Sequence, residues 1–525
     1  MEEALAIAEI RSMIGSFVNV QDLYSCILVS KAWHESFMPW LYRTIKLNNR
    51  TQGFINNIRN RGHLIRTFDY MMAQLSKDDI DCLSSCTQIQ TLLIMEDPIG
   101  GFRIDPLALA LIRRSASTLR EIRRLYLDGR RKLSIVIIGA MLNCPRLSML
   151  KLQFLTLPPD LAALNSIKLL FSRLKVLSLH CVMFPEKFSW PENISLLFLQ
   201  QLRIIGSRGT GTYAIQMACH SPNLKVLEIE SEIQLPIHCV IDQVLPSCRQ
   251  LEVLRIYHFN WDTAGRYELV DAVLSRQSGQ NGNNSPPPFK WVDFPNGGNE
   301  QYNNEAKMYF NYIERKGVFA MLGAIDFRFC TWITSLNVQK LLCSCVNLRA
   351  IQVEEIYAHD VEHSPPWVCH QLEYFIMWIH FAEQGTGDTA AVDSTTVSQD
   401  PTHAIFNRLA QFRRLRVLDT SHRWGSWKYR PADEIGMCYR LGRGLELLEP
   451  LTRIHYIGFL DLLPAPREED IMFMFKIWPN LCSIRGQIHV EKEEDRERVN
   501  RLTKRFGIRL LFMSNIRHES FEPQL

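Results

Sequence analysis

No stretch of about 18 uninterrupted apolar residues occurs in the 525-residue chain, so no membrane-spanning helix is expected. A basic leader is missing too. The first ten residues, MEEALAIAEI, open with two acids, and no secretory signal peptide is expected. Charge of one sign is in short supply: 59 Lys and Arg face 55 Asp and Glu, a net +4. So weak an excess disfavours nucleic acid as a partner.

Motifs of catalysis are absent as well. GSRGTGT (206–212) lacks the Gly-Lys-Ser/Thr ending through which a phosphate loop holds its ligand. There is no Gly-x-Ser-x-Gly elbow and no His-Glu-x-x-His pair, and paired carboxylates occur only as scattered charge. The chain is expected to be no enzyme and to need no cofactor. Cys82 and Cys86, like Cys343 and Cys345, have no second ligand pair at zinc-finger spacing, so no metal is expected. The 14 cysteines, with no secretory signal, point to reduced thiols in the cytoplasm or nucleus.

What is present is a repeat. The chain is 46% hydrophobic and 22% charged, ample for a large core and too long for one ordinary compact domain. A cassette of apolar, two variable, apolar, variable, apolar returns along it. LSMLKL at Leu147, LKVLSL at Leu174, LQQLRI at Leu199, LKVLEI at Leu224 and LEVLRI at Leu251 start at steps of 27, 25, 25 and 27 residues. Further copies start at Ile89, Ile122, Leu348, Leu372, Leu415, Ile454 and Leu481, and weaker ones at Ile65, Phe289, Leu322 and Ile508. A period of about 20–29 residues with this cassette is the leucine-rich-repeat signature. Alternation within it puts Leu177 and Leu179 on one strand face and Val176, Ser178 and His180 on the other. Helical stretches such as LPPDLAALNSIKLLF (157–171) fill the intervals. One strand and one helix cannot cover their own apolar faces, but stacked copies can.

The expected fold is therefore α/β, a leucine-rich-repeat solenoid over 49–525 with a curved parallel sheet and outer helices. Cys144, Cys248 and Cys345, three residues before a cassette, read as small buried residues closing the helix-to-strand turn. Two stretches rich in small and polar residues, 276–304 and 384–403, read as flexible insertions. The charged run 491–505 reads as the exposed face of a last helix.

Residues 1–48 do not fit the repeat and read as three short helices. The first spans about Ala4 to Phe17, with Ile7, Ile10 and Ile14 at helical steps; Asn19 and Asp22 read as a capping pair opening the second. The third holds Trp33 and Phe37 and ends before Pro39. So small a block must pack on the first repeat, on a partner, or on both. Ile7-Ala8-Glu9-Ile10, Ile14 and Phe17, Asp22-Leu23, then Cys26, Val29, Lys31 and Trp33, then Trp40-Leu41-Tyr42-Arg43 follow an order of residues that resembles the F-box. The departure is Ala8, where that family usually has proline. With the repeats behind it, the chain is similar to fungal-type F-box proteins with C-terminal leucine-rich repeats.

That resemblance implies a substrate-recognition subunit of an SCF-type cullin–RING ubiquitin ligase. Ile7, Ala8, Ile10, Ile14, Leu23, Val29, Trp33 and Leu41 would form the surface or core that meets the Skp-type adaptor, and the repeats would hold a protein substrate. The alternative is a non-ligase binding scaffold whose helical block only caps the repeats. Solenoids bind on their concave face, which offers Arg124, Tyr126, Lys151, His180, Arg203, Glu228, Arg255, Tyr257 and Arg485. Residues 113–132, with eight Lys and Arg against two acids, suit an acidic or phosphorylated segment or else a solvated helix face. SHRWGSWKYR (421–430) could hold a substrate or cover the end of the array.

Overall fold

Each cassette becomes a short strand because its alternating apolar residues give one strand face to the core. The computed structural model describes residues 7–18, 20–47, 58–71, 81–95, 105–126, 132–153, 161–183, 190, 194–207, 211–231, 237–257, 263–278, 300–327, 333–380, 401–420, 439–458, 468–485, 497, 501 and 509–511. Among these lie β1 (Thr44–Leu47), β2 (Thr67–Met71), β3 (Thr91–Met95), β4 (Glu121–Tyr126), β5 (Met149–Gln153), β6 (Val176–His180), β7 (Gln201–Ser207), β8 (Val226–Ser231) and β9 (Val253–Tyr257). Then follow β10 (Ala324–Phe327), β11 (Ala350–Tyr357), β12 (Tyr374–His380), β13 (Val417–Asp419), β14 (Tyr456–Gly458), β15 (Ser483–Arg485) and β16 (Arg509–Leu511).

The strands make two sheets, ordered β1 to β9 and β10 to β16, each strand beside its neighbours in sequence. Every pairing is parallel; Leu150, Leu177, Leu202, Leu227 and Leu254 fall in one register row across β5 to β9. Parallel neighbours need a crossover between them. Helices supply many of these, including α4 (Asp105–Arg114), α5 (Lys132–Leu142), α6 (Leu161–Phe171) and α7 (Gly211–Cys219) in the first sheet; α8 (Thr263–Ser278) and α9 (Glu300–Arg315) come between β9 and β10, which belong to different sheets; and α10 (Ser335–Ser344), α11 (Ala358–His363), α12 (Pro401–Leu409) and α13 (Glu468–Ile477) are crossovers in the second. Helices α1 (Ala8–Gly15), α2 (Val20–Cys26) and α3 (Lys31–Leu41) precede β1. The chain divides into two compact units, Met1–Trp261 with Ser275–Pro287, and Asp262–Leu274 with Pro288–Leu525.

Burial follows the cassette. Leu174, Leu177 and Leu179, like Leu199, Leu202 and Ile204, have no exposed surface. Each such side chain contributes about 1.5–3 kcal/mol of hydrophobic stabilisation. The turn before each strand is equally regular. The N–H groups of Leu147, Leu224, Leu251, Leu348 and Leu372 donate to the carbonyls of Cys144, Ser221, Cys248, Cys345 and Cys369, three residues back. Neighbouring turns are tied by side chains: Asn223 and Asn347 donate to Leu197 O at 2.8 Å and Ala320 O at 2.7 Å. The Cys248 thiol donates to Ala218 O at 3.1 Å. Burial pushes the Cys144 thiol up to about 11 and Cys86 up to about 12. Thiols so held stay protonated at neutral pH and act as small core residues.

Three features differ from the sequence expectation. Helix α3, expected to end before Pro39, runs through it to Leu41. Residues 44–47, placed inside the helical block, form β1, paired from Thr44↔Thr67 to Leu47↔Tyr70. The copy expected to begin at Ile122 begins three residues earlier. Ile122 pairs with Leu150, so Leu119 takes the leading position, and the register shifts between Ile122 and Leu125. That irregularity copied the cassette spacing by accident, because Leu125 and Leu127 stand three and five residues after Ile122. The Phe289 copy, residues 279–299 and 384–400 of the two insertions, residues 421–430, and all but Glu497 and Arg501 of the charged run lie outside the described residues, as do Asn19 and residues 4–6.

In the second unit, α8 and α9 are clasped. Tyr267 stacks on Tyr312 with ring centroids 4.0 Å apart. Asp271 accepts from the Tyr312 hydroxyl at 2.7 Å and from Lys316 at 2.8 Å, and the ammonium lies 5.1 Å from the Tyr312 ring centroid. The hydrogen bonds from Lys316 and Tyr312 hold the Asp271 carboxyl below its ordinary range. The hydrogen bond to Asp271 raises Lys316, and burial, with the same carboxylate, raises Tyr312. A lowered acid stabilises above its unfolded value and stops doing so as pH falls through its folded one; raised Lys and Tyr values act in the opposite sense. The clasp is therefore expected to be complete between about pH 4 and pH 10, using ordinary side-chain values as unfolded references. Amide exchange in α8 and α9 should accelerate outside that window, and Asp271→Asn should remove the acid-side change.

Candidate docking surface on the N-terminal helices

Helix α3 begins where Ser30, in extended backbone, accepts the Trp33 N–H at 3.2 Å, a side-chain cap for a donor the helix cannot satisfy itself. It runs through Pro39 to Leu41 and places Phe37, Met38 and Leu41 inward. Helix α1 packs against it through a notch. A Cβ on Gly15 would lie only 2.5 Å from Trp40 Cδ1, so only glycine admits the indole there. The Trp40 indole N–H donates to Ser12 Oγ at 3.2 Å, and Arg11 Nε donates to Ser36 Oγ at 2.9 Å. The Arg43 guanidinium stands 4.6 Å from the Trp40 ring centroid. Tyr42, Ile45 and Leu47 are buried as the chain passes from α3 into β1.

Large apolar side chains stand in water on and beside α1 and α2. Ile7, Met13, Phe17, Val20, Tyr24, Leu28 and Val29 are exposed, Phe17 by 85% and Leu28 by 83%. These seven belong to eighteen large exposed apolar residues among the described ones, yet they fall within 23 positions. Such crowding marks an interaction surface rather than scattered exposure.

Of the residues expected at the adaptor, Ile7, Ala8 and Val29 are exposed, and Ile10, Ile14 and Trp33 are half-buried. Leu23 and Leu41 are buried, so they shape the block from inside and present nothing to a partner. Trp33 rests against Phe37 with centroids 5.2 Å apart. The expected adaptor residues left out Met13, Val20, Tyr24 and Leu28, and also Phe17, which belongs to the F-box-like order. Their signal was present: Met13 and Phe17, and Val20, Tyr24 and Leu28, recur at steps of four, offset from Leu23, although Phe17 and Leu28 stand just past the ends of α1 and α2.

The strand face opposite the core in the first unit holds the other candidates. Lys151, Ser178, Arg203, Glu228 and Arg255 form one register row across β5 to β9. Glu228 lies between two guanidinium groups, Oε2 being 3.2 Å from Arg203 Nε and 3.5 Å from Arg255 NH1. Both glutamate and arginines are largely buried, with side-chain exposures of 6% for Glu228, 13% for Arg203 and 9% for Arg255. Their first task is thus to pair β7, β8 and β9 with one another. Lys151 is half-buried, as is His180, which is 2.9 Å from Ser178 Oγ. The side chains of Arg124, Tyr126, Tyr257 and Arg485 lie outside the described residues.

In the second unit the corresponding face carries an apolar cluster of Ile376, Val417 and Tyr456 with Tyr374 beside it. The Tyr456 hydroxyl donates to Asp419 at 3.2 Å. Among the described residues no group of three or more His, Cys, Asp and Glu is placed to hold a metal, and no helix is long and apolar enough to cross a membrane. Comparison with protein-family models finds no match, and a search of curated proteins finds no significant relative.

Proposed function

We propose that this chain is the substrate-recognition subunit of an SCF-type cullin–RING ubiquitin ligase. In this reading α1 to α3 are an F-box that docks a Skp-type adaptor, and leucine-rich repeats built from the two sheets hold the protein to be ubiquitinated. The chain itself carries no catalytic step. The observation behind the reading is the crowd of exposed apolar side chains from Ile7 to Val29, on α1 and α2 and in the turns beside them, in a segment that also carries the F-box-like order of residues. A partner that covers them gains the transfer free energy of the apolar area removed from water.

The alternative, a scaffold whose helices only cap the repeats, draws on β1. That strand continues directly from the helical block and closes the edge of the sheet at β2. Capping accounts for the buried Tyr42, Ile45 and Leu47, but it leaves Phe17 and Leu28 in water.

Purified Skp-type adaptor separates the two readings. Full-length protein should retain it in a pull-down, and a truncation beginning at residue 50 should not. Leu28→Glu combined with Val29→Glu should lower retention at least a hundredfold, the effect of about 3 kcal/mol lost at an apolar interface. The same pair should leave the melting temperature unchanged, because both side chains already face water. Failure of the full-length protein to retain the adaptor leaves the scaffold reading.

A further inference from the structure

We propose that α11 carries a surface site for a borderline divalent metal ion such as Ni²⁺, chelated by His359 and His363. The two histidines stand one helical turn apart, on the same face of the helix. Both are exposed, and their ring centroids are 4.2 Å apart. Imidazole nitrogens suit ions of this class, and a pair at this spacing can bind one ion from two sides.

The second observation concerns the proton. His363 Nδ1 lies 2.9 Å from the backbone carbonyl of His359. A carbonyl oxygen only accepts, so Nδ1 carries the hydrogen, and in the neutral ring the lone pair is on Nε2. A backbone carbonyl on the far ring nitrogen is the usual way a metal-binding histidine is oriented and its tautomer set. Asp360 and Glu362, on the same short helix, add negative charge near a dication. Because the described residues bring no third His, Cys, Asp or Glu to these two, water would complete the coordination and leave positions open to an incoming ligand.

Bound metal has a structural consequence. Six residues are too few for a helix to persist by its own hydrogen bonds. An ion bridging residues one turn apart would lock α11 at the end of β11. This inference does not depend on the ligase reading.

Calorimetric titration of the reduced full-length protein with Ni²⁺ tests it, with His359→Ala and His363→Ala as the comparison. One saturable equivalent should be present in the parent and absent from each variant, while both variants keep the parent's melting temperature without metal. Ni²⁺ should also slow amide exchange over residues 358–363 in the parent alone. An unchanged number of equivalents in either variant overturns the proposal, as does exchange over 358–363 that ignores the metal.

Discussion

Replacing Glu228 with glutamine should destabilise the first unit by about 3 kcal/mol, the loss typical when one member of a buried ionic group is removed. Glutamine keeps the shape of the side chain and removes only its charge. Arg203 and Arg255 are then left on β7 and β9, flanking β8, with their shared counterion gone and little water to replace it. Two desolvated guanidinium groups without their carboxylate are far costlier than any pair lost at the surface. Amide exchange in β7, β8 and β9 should accelerate about a hundredfold, since 1.4 kcal/mol is a factor of ten. Replacing Arg203, Glu228 and Arg255 together by apolar residues of similar volume should restore most of the loss, because neither guanidinium is then left buried without the Glu228 carboxylate. Exchange in the second unit serves as the control. A change below threefold in Glu228→Gln would mean that the row is open to water and free to meet a ligand.

Gly62→Ala should cost about 3 kcal/mol, at the upper end for one added methyl group in a packed site. Gly62 occupies the turn position three residues before the Ile65 cassette, where the next repeat has Cys86. A Cβ there would stand 2.7 Å from the Ser85 carbonyl carbon and 2.8 Å from the Cys86 nitrogen. These are backbone atoms and cannot turn aside. Ser85 is also fixed, its hydroxyl donating to Ile58 O at 3.2 Å. The methyl must separate two adjacent turns, so the damage should spread into β2 and β3, seen as faster amide exchange from Thr67 to Met95. A substitution at Gly139, which faces open space, should show none of this.

Much of this architecture was legible without coordinates. The cassettes at Leu147, Leu174, Leu199, Leu224 and Leu251 sit on β5 to β9 in register, since a period-two apolar pattern in a stacked strand has only one face to bury. Cys144, Cys248 and Cys345 were readable as turn residues because a constant offset from the cassette means a constant place in each repeat. The copy near Ile122 was misplaced by three residues because a local apolar pattern carries no record of its partner. Only pairing with Leu150 revealed the bulge. β1 escaped notice since four residues of TIKL are too few to show a period.

The site was legible in a different measure. The order of residues from Ile7 to Arg43 pointed to a helical docking block, and the structure sorted that list. Leu23 and Leu41 turned inward, while Ile7, Ala8 and Val29 stayed in water. An apolar residue on a short helix is equally suited to a core or to a partner, and composition cannot say which side is covered. The row Arg203, Glu228 and Arg255 was placed on the correct strand face but taken as open. Residues about 25 positions apart in sequence become ion-pair neighbours only when strands stack at about 4.8 Å.

The sequence alone thus determined the repeat period and the parallel α/β class. Each of these follows from local spacing and from the need to bury apolar faces. Tertiary structure alone decided which polar side chains are spent on one another and which apolar ones remain in water. Those outcomes depend on distances between segments far apart in the chain, and burial changes the energy of a charge or a methyl group only once those distances are set.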